Sequence, residues 1–515
     1  MAWKGTLLMI PQLHCPLRRF SGLAVLLLVG SCGVAPASKA FAQPASTPSS
    51  ATSPTAASPT PPKPPPFRVF RYDENYAYLA DPARRTHPLD SIKYIPLDDD
   101  DAFVLSFGGE SRSRYEYFSA PAFGLRGPGH DDFFIQRFLL HTDLQIGKHE
   151  GLNGRAFVQL LSGLVTGDEF PKPGNQDNAL DVQQAFGEVS IGDTRASAVN
   201  SGATTFRLRA GRQEMGFGSY RLVTLRDGTN ARLAFDGARM TLNVQRVSFD
   251  AFLVRPVDNK IGLFNDGEDD NTTFWGLYSA LPLASDRSLV LDLYYLGLNR
   301  ENTRFASGIG DELRHSIGAR ISGRADGWDH DTEAVFQFGT FDRSSRSEDI
   351  LAWTIASNTG YTFENAPWKP RLGLKLNVAS GDDDPSDDRL GTLNPLFPRN
   401  NYFSDANLVS PYNFFDFHPT ITVKPTESLT VTVGWDAFFR FSTDDAVFAP
   451  TGIVIPATAS DERFVGSSLT IGTDWAINRN LTLSASYSHF FRGQVVEDAG
   501  GRDVDFFGVW LTAKF

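Results

Sequence analysis

From Leu105 to the end of the chain, apolar and polar residues alternate almost one by one, and no apolar run reaches the roughly 18 residues that a membrane helix requires. A period of two puts successive side chains on opposite faces of a strand. "LSFGGESRSRYEY" sets Leu105, Phe107 and Tyr115 against Ser106, Glu110, Arg112, Arg114 and Glu116. "RFLLHTDLQIG" sets Phe138, Leu140, Leu144 and Ile146 against Arg137, His141, Asp143 and Gln145. Further on, Ile317, Ala319 and Ile321 oppose Arg314, Arg320 and Arg324, and Leu372, Leu374 and Leu376 oppose Arg371 and Lys375. One face of nearly every strand is greasy and the other is charged.

Such runs predict an all-β chain of about 18 antiparallel strands, each roughly 10 residues long, the length of a tilted membrane-crossing strand. Long connections are expected at 118–133, 162–179, 215–233, 256–271, 299–312, 380–411 and 442–463, and tight turns at "GKHEGLN", "PLASD", "ADGW", "KPTES" and "AINRN". Long loops on one side and short turns on the other describe an outer-membrane barrel with extracellular loops and periplasmic turns. A soluble sandwich also alternates, but it needs a second sheet over each greasy face. In the last strand, "DVDFFGVWLTAKF", Phe507, Val509, Leu511, Ala513 and Phe515 share one face. Lipid would solvate that face, and pairing of the last strand with the first would leave no backbone edge bare in hydrocarbon. A strand ending on Phe515 also suits recognition by the barrel-assembly machinery.

Ahead of the barrel, Arg18 and Arg19 precede "SGLAVLLLVGSC", and Ala40-Phe41-Ala42 follows, which reads as a secretory signal peptide over 1–42. "LVGSC" also resembles a lipoprotein site that would leave a lipidated Cys32. Both cysteines, Cys15 and Cys32, lie in or at the edge of this leader, so no disulfide, zinc or thiol chemistry is expected of the body. Residues 43–66 are Pro, Ser, Thr and Ala with little else, a disordered tether. Residues 67–103 form an irregular periplasmic segment expected to pack on or into the barrel that occupies 104–515.

With about 18 strands the bore is too wide for side chains alone to fill, so it is water-filled or plugged by loops. The inward face carries Arg112, Arg114, Arg137, Arg155, Arg207, Arg209, Arg239, Arg314, Arg320, Arg324, Arg371 and Lys375, although the net charge is -12. The acid gathers in loops such as "NDGEDDN" and "GDDDPSDD". Rings of guanidinium select anions and clasp carboxylates in a bidentate manner. Alternatively, these arginines pair with wall acids such as Glu110, Glu116, Asp143 and Glu188 and only keep the bore wet. The stretch 207–240, "RLRAGRQEMGFGSYRLVTLRDGTNARLAFDGARM", joins two strands by a long, glycine-punctuated basic loop suited to a constriction folded into the pore.

"FRYDENYAYLADPARRTHPLDSIKYIPL", then "GRQEMGFGSYRLVTLRDGTNARLAFDGARM", then a barrel with an aromatic end, resembles the alginate export family of outer-membrane proteins over roughly residues 68–515. The resemblance implies a single-chain, monomeric 18-stranded pore with an electropositive lumen through which an anionic polyuronate leaves the periplasm. It further implies that Arg212, Asp227, Arg232, Asp236 and Arg239 face or shape the passage. "MGFGSYRLVTLRDG" stands where a dedicated alginate exporter would carry bulkier aromatics.

Enzymatic chemistry is not expected. "GFGSYR" lacks the second glycine of a nucleophile elbow, His141 and His489 are isolated, and phosphate-binding and nucleic-acid motifs are absent. Of possible cofactors, only a calcium ion on Asp382, Asp384 and Asp388 of the acidic loop has a chemical basis. Three functions remain: a passive conduit for an anionic polysaccharide or its oligomers, a general small-anion porin, and a loop-plugged structural or surface-binding barrel.

Overall fold

A computed structural model describes residues 64–127, 129–148, 151–168, 174–192, 204–399 and 401–515. The leader, with its alternative processing site at Cys32, and all of the tether but 64–66 lie outside the described residues.

Eighteen long strands follow one another round a closed ring. They are β1 (Phe103–Phe118), β2 (Asp131–Ile146), β3 (Leu152–Thr166), β4 (Asn178–Ile191), β5 (Thr205–Gln213) and β6 (Phe235–Val244). Next come β7 (Val247–Asp258), β8 (Thr272–Pro282), β9 (Leu289–Phe305), β10 (Gly308–Ala325), β11 (Trp328–Arg343) and β12 (Ser347–Thr362). The ring ends with β13 (Arg371–Ala379), β14 (Phe414–Thr426), β15 (Leu429–Arg440), β16 (Phe464–Ala476), β17 (Leu481–Arg492) and β18 (Val504–Lys514). Neighbouring strands are antiparallel, and β18 pairs with β1 from Glu110↔Lys514 to Phe118↔Phe506. The closed ring therefore leaves no free strand edge, as hydrocarbon demands. No helix among the described residues is long and apolar enough to cross a membrane.

The alternation read from the sequence sets the two faces. On β8, Phe274 is fully buried inside while Leu277 on the outward face is 59% exposed. Phe138, Leu253, Leu293, Ile317, Phe336, Ile355, Phe417, Ile471, Phe507 and Leu511 are likewise exposed apolar residues. Together they make a belt that only lipid can solvate. At the seam Phe515 exchanges two backbone hydrogen bonds of 3.0 Å with Gly109. Its ring lies 2.8 Å from where a Cβ on Gly109 would stand, so only glycine admits the ring there.

Two expectations need correcting. Residues 299–312 form no long loop: β9 and β10 run on as a hairpin closed by residues 306–307, with Phe305 paired to Gly308. Strand lengths reach 18 residues rather than roughly 10. The ladder of β9–β12 outruns the hydrocarbon and stands clear of it, because polar alternation beyond the belt still favours pairing over a loop.

Residues 64–102 coil in short 3-10 turns at the short-turn end and reach the inner wall. Tyr72 packs edge-on against Phe157 and Phe186, both on inward faces, and its hydroxyl donates to the Glu214 carbonyl at 2.8 Å. Arg71 donates to the carbonyls of Gly109 (3.0 Å) and Phe515 (2.7 Å), tying this segment to the seam.

If the outward belt meets lipid, Leu277→Arg in the middle of β8 costs about 2–4 kcal/mol. Denaturant unfolding from lipid vesicles measures this, and an unchanged midpoint would remove Leu277 from the bilayer.

Candidate functional site: the crossed bore

The connection between β5 and β6, residues 214–234, turns inward and spans the bore. Met215, Leu222, Val223, Leu225, Ala231 and Ala234 are buried, and Met215, Leu222 and Val223 join the inward Phe235, Phe252 and Phe274 in one apolar cluster. A second long connection, between β13 and β14, meets it there. Val223 and Phe397 form a parallel bridge, the Phe397 amide donates to the Leu222 carbonyl at 2.8 Å, and Arg226 donates to the Pro398 carbonyl at 3.1 Å.

Guanidinium groups anchor the inward loop to the wall. Arg112 donates to the carbonyls of Asp227 (2.6 Å) and Thr229 (3.0 Å), and Arg114 to that of Gly228 (3.1 Å). Arg137 is 1% exposed; it donates to the Thr229 carbonyl (3.0 Å) and to the carboxylates of Glu110 (3.0 Å) and Asp227 (2.8 Å). Arg232 bridges Asp227 (2.6 Å) and Glu110 (3.1 Å). On the opposite side Arg221 pairs with Asp331 (2.6 Å) and Glu333 (3.1 Å), and Arg320 contacts Ser219 (2.6 Å) and Asp292 (2.7 Å). Arg314, fully buried, pairs with Glu312 and donates to Gln337 (2.7 Å) and the Thr392 carbonyl (3.2 Å) of the second inward loop. The carbonyls of a loop lowered into a bore need donors, and arginine supplies several in one plane.

Below the loop, a cavity of about 640 Å³ opens among β3–β7 and the N-terminal segment. Arg155, Arg207, Arg209 and Arg239 line it together with Glu188 and Asp250. Arg209 donates to Glu188 at 2.9 and 2.7 Å, and its guanidinium carbon stands over the rings of Tyr72 and Phe186, 3.9 and 4.1 Å from their centres. Arg207 meets the other Glu188 oxygen at 3.1 Å with a third of its side chain exposed. Arg239 pairs with Asp250 at 2.8 Å, and Arg155 with Asp143 at 2.7 Å.

The remaining candidates scatter. Arg371 clasps Asp329 at 2.7 and 2.6 Å near the short-turn end. Arg324 is exposed there, and among the described residues it has no ion pair. Arg212 and Asp236 do not face the passage. They sit three residues from the inward Arg209 and Arg239 on ladders with unbroken register, so alternation turns them outward. There they pair with each other at 2.9 Å, and Arg212 also meets the carbonyl of Asp266 in the 259–271 connection at 3.3 Å. In the acidic loop, Asp384 caps Ser386 while Asp382 is buried, and the carboxylates of Asp382, Asp384 and Asp388 do not converge. A different group, not evident from local sequence, has Asp416, His418 and Asp436 bring one ligand atom each within 4.8 Å of one another.

Burial pushes the Glu214 carboxyl, at the start of the inward loop, up to about 7. A carboxyl raised in the folded state favours folding while protonated, fully below its ordinary value near 4.5 and less as pH climbs through 7. Glu214→Gln therefore raises the melting temperature in detergent at pH 8 and leaves it unchanged at pH 4. An equal shift at both values would show that Glu214 stays ionised throughout.

Solved structures with a similar barrel include three outer-membrane porins. *Pseudomonas aeruginosa* OccK2 (OpdF), solved in complex with glucuronate, matches with a TM-score of 0.51 at 12% identity, covering 80% of this chain and 98% of its own. *Acinetobacter baumannii* OccAB3 gives 0.53 at 12% identity over 79% and 99%. A BenF-like porin from *Pseudomonas fluorescens* Pf-5 gives 0.52 at 11% identity over 80% and 98%. No curated protein matches the chain. The model of the Alginate export family matches residues 103–509, from the first strand of the ring into the last. A closed 18-stranded barrel with an apolar belt is an outer-membrane channel by architecture. The chain belongs to the Alginate export family of the outer membrane.

Proposed function

We propose that the barrel is a passive, monomeric conduit for an anionic polysaccharide of the polyuronate class, alginate or its oligomers, leaving the periplasm down its own concentration gradient. The observation that carries this reading is the set of Arg207, Arg209 and Arg239 around the cavity at the short-turn end. A polyuronate presents one carboxylate per sugar, and guanidinium groups stepped along a wall can take these in turn by bidentate hydrogen bonds. Each of the three holds a wall acid at rest, and Arg207 keeps an exposed flank for an incoming carboxylate. Exchange of wall acid for substrate carboxylate costs little, which suits transport better than tight binding. The complex of OccK2 with glucuronate supports the same chemical class on a similar barrel.

The inward loops favour a narrow, guided path over an open general porin. In this reading the barrel does no covalent chemistry, and the strand ending in Phe515 is the feature read by the barrel-assembly machinery.

Planar-bilayer recordings under a salt gradient test the proposal. Wild type should pass anions in preference to cations, and oligouronates should block that current in a concentration-dependent way. Arg207→Glu with Arg239→Glu should move the reversal potential toward cation preference and weaken the block at least several-fold. An anion-selective current indifferent to oligouronates would favour a small-anion porin. A double variant with an unchanged reversal potential would remove these arginines from the path.

A further inference from the structure

Asp416 and His418 stand two residues apart on the inward face of β14, and Asp436 stands opposite on β15, where Phe417 pairs with Ala437. All three are at least nine-tenths buried, at 4%, 5% and 3% exposure. Two carboxylates and an imidazole out of water need either hydrogen-bond partners or a cation. Asp416 Oδ1 is held by the backbone and side-chain nitrogens of Asn377 at 2.9 and 2.8 Å. Among the described residues, Asp416 Oδ2, His418 Nδ1 and both oxygens of Asp436 have no hydrogen-bond partner. His418 Nδ1 and Asp436 Oδ2 lie 2.9 Å apart without the alignment of a hydrogen bond. An imidazole nitrogen and a carboxylate oxygen at this separation also suit two ligands of one metal ion. A nearby device fixes the imidazole: its Nε2 lies 2.6 Å from where a Cβ on Gly434 would stand, so a larger residue there would displace the ring.

From this geometry we propose that Asp416, His418 and Asp436 bind a divalent metal ion of the zinc class on the inner wall of the barrel. Imidazole nitrogen with two carboxylates is a donor set for zinc and its neighbours, whereas calcium prefers oxygen alone. The ion neutralises two buried carboxylates and joins β14 to β15 from inside, and Asn377 orients one ligand from behind. Lys375 on β13, the register partner of His418, is the competing source of positive charge, yet it makes no ion pair among the described residues. Its ammonium competes with a metal ion for the two carboxylates.

The test is equilibrium dialysis of the untagged, chelator-stripped barrel in detergent against Zn²⁺, with Ca²⁺ as control and with the gel mobility shift on boiling as proof of folding. One zinc per barrel is expected, with calcium not retained. His418→Gln and Asp436→Asn should each weaken zinc at least tenfold, and Lys375→Met should bind it as tightly or more tightly. Absence of saturable zinc on folded wild type would overturn the proposal. So would zinc held equally by the His418→Gln barrel, or a Lys375→Met barrel that loses both zinc and its resistance to heat.

Discussion

The whole molecule depends on one closure, the pairing of β18 with β1. An open sheet in hydrocarbon would expose a row of unpaired amides and carbonyls, each costing several kcal/mol, so no partial version of this barrel is stable in a membrane. The outward belt follows from the same condition. Once every backbone group is satisfied within the ring, the outward side chains need only be apolar, and the inward ones are released to be charged. Arg71 of the N-terminal segment ends on the carbonyls of Gly109 and Phe515, so that segment is secured to the seam itself.

Closure creates a second problem, a bore too wide to pack, and the two inward connections answer it. Their apolar residues make a cluster with inward aromatics of β6–β8, and their polar backbone is met by arginines of the wall. Much of the basic character of the inner face is therefore structural. Arg112, Arg114, Arg137, Arg232 and Arg314 hold loops, whereas Arg207 and Arg239 border the cavity and Arg209 stands buried in its wall. A single residue type performs both tasks because a planar fork of donors serves a carbonyl and a carboxylate equally well.

Period-two alternation was legible residue by residue, since each outward leucine or phenylalanine had to meet lipid, and it carried the strand order and the fold. The destination of residues 214–234 was legible only as a suspicion, because the loop falls inward through contacts of Val223 with Phe397 and of Thr229 with Arg137 that no local pattern encodes. Arg212 and Asp236 were misplaced although the signal was present: counting by twos from Arg209 and Arg239 turns both outward. The run at 299–312 looked like a loop because its polarity rises on both faces, yet polar strands pair well once outside the membrane. Asp416 and His418 share a face at a spacing of two, but the third member, Asp436, required the register of β14 on β15.

The central claim is that the inward loop sets the aperture and that wall arginines keep it there. Single-channel conductance of a barrel in which residues 218–231 are replaced by a short glycine-serine link tests this most directly, with retained heat-dependent gel mobility confirming the fold. The account predicts a several-fold larger conductance with stronger anion preference, because Arg112, Arg114 and Arg137 are released into the bore. A conductance and selectivity equal to wild type would contradict it, and would mean that ions pass by a route the loop does not cross.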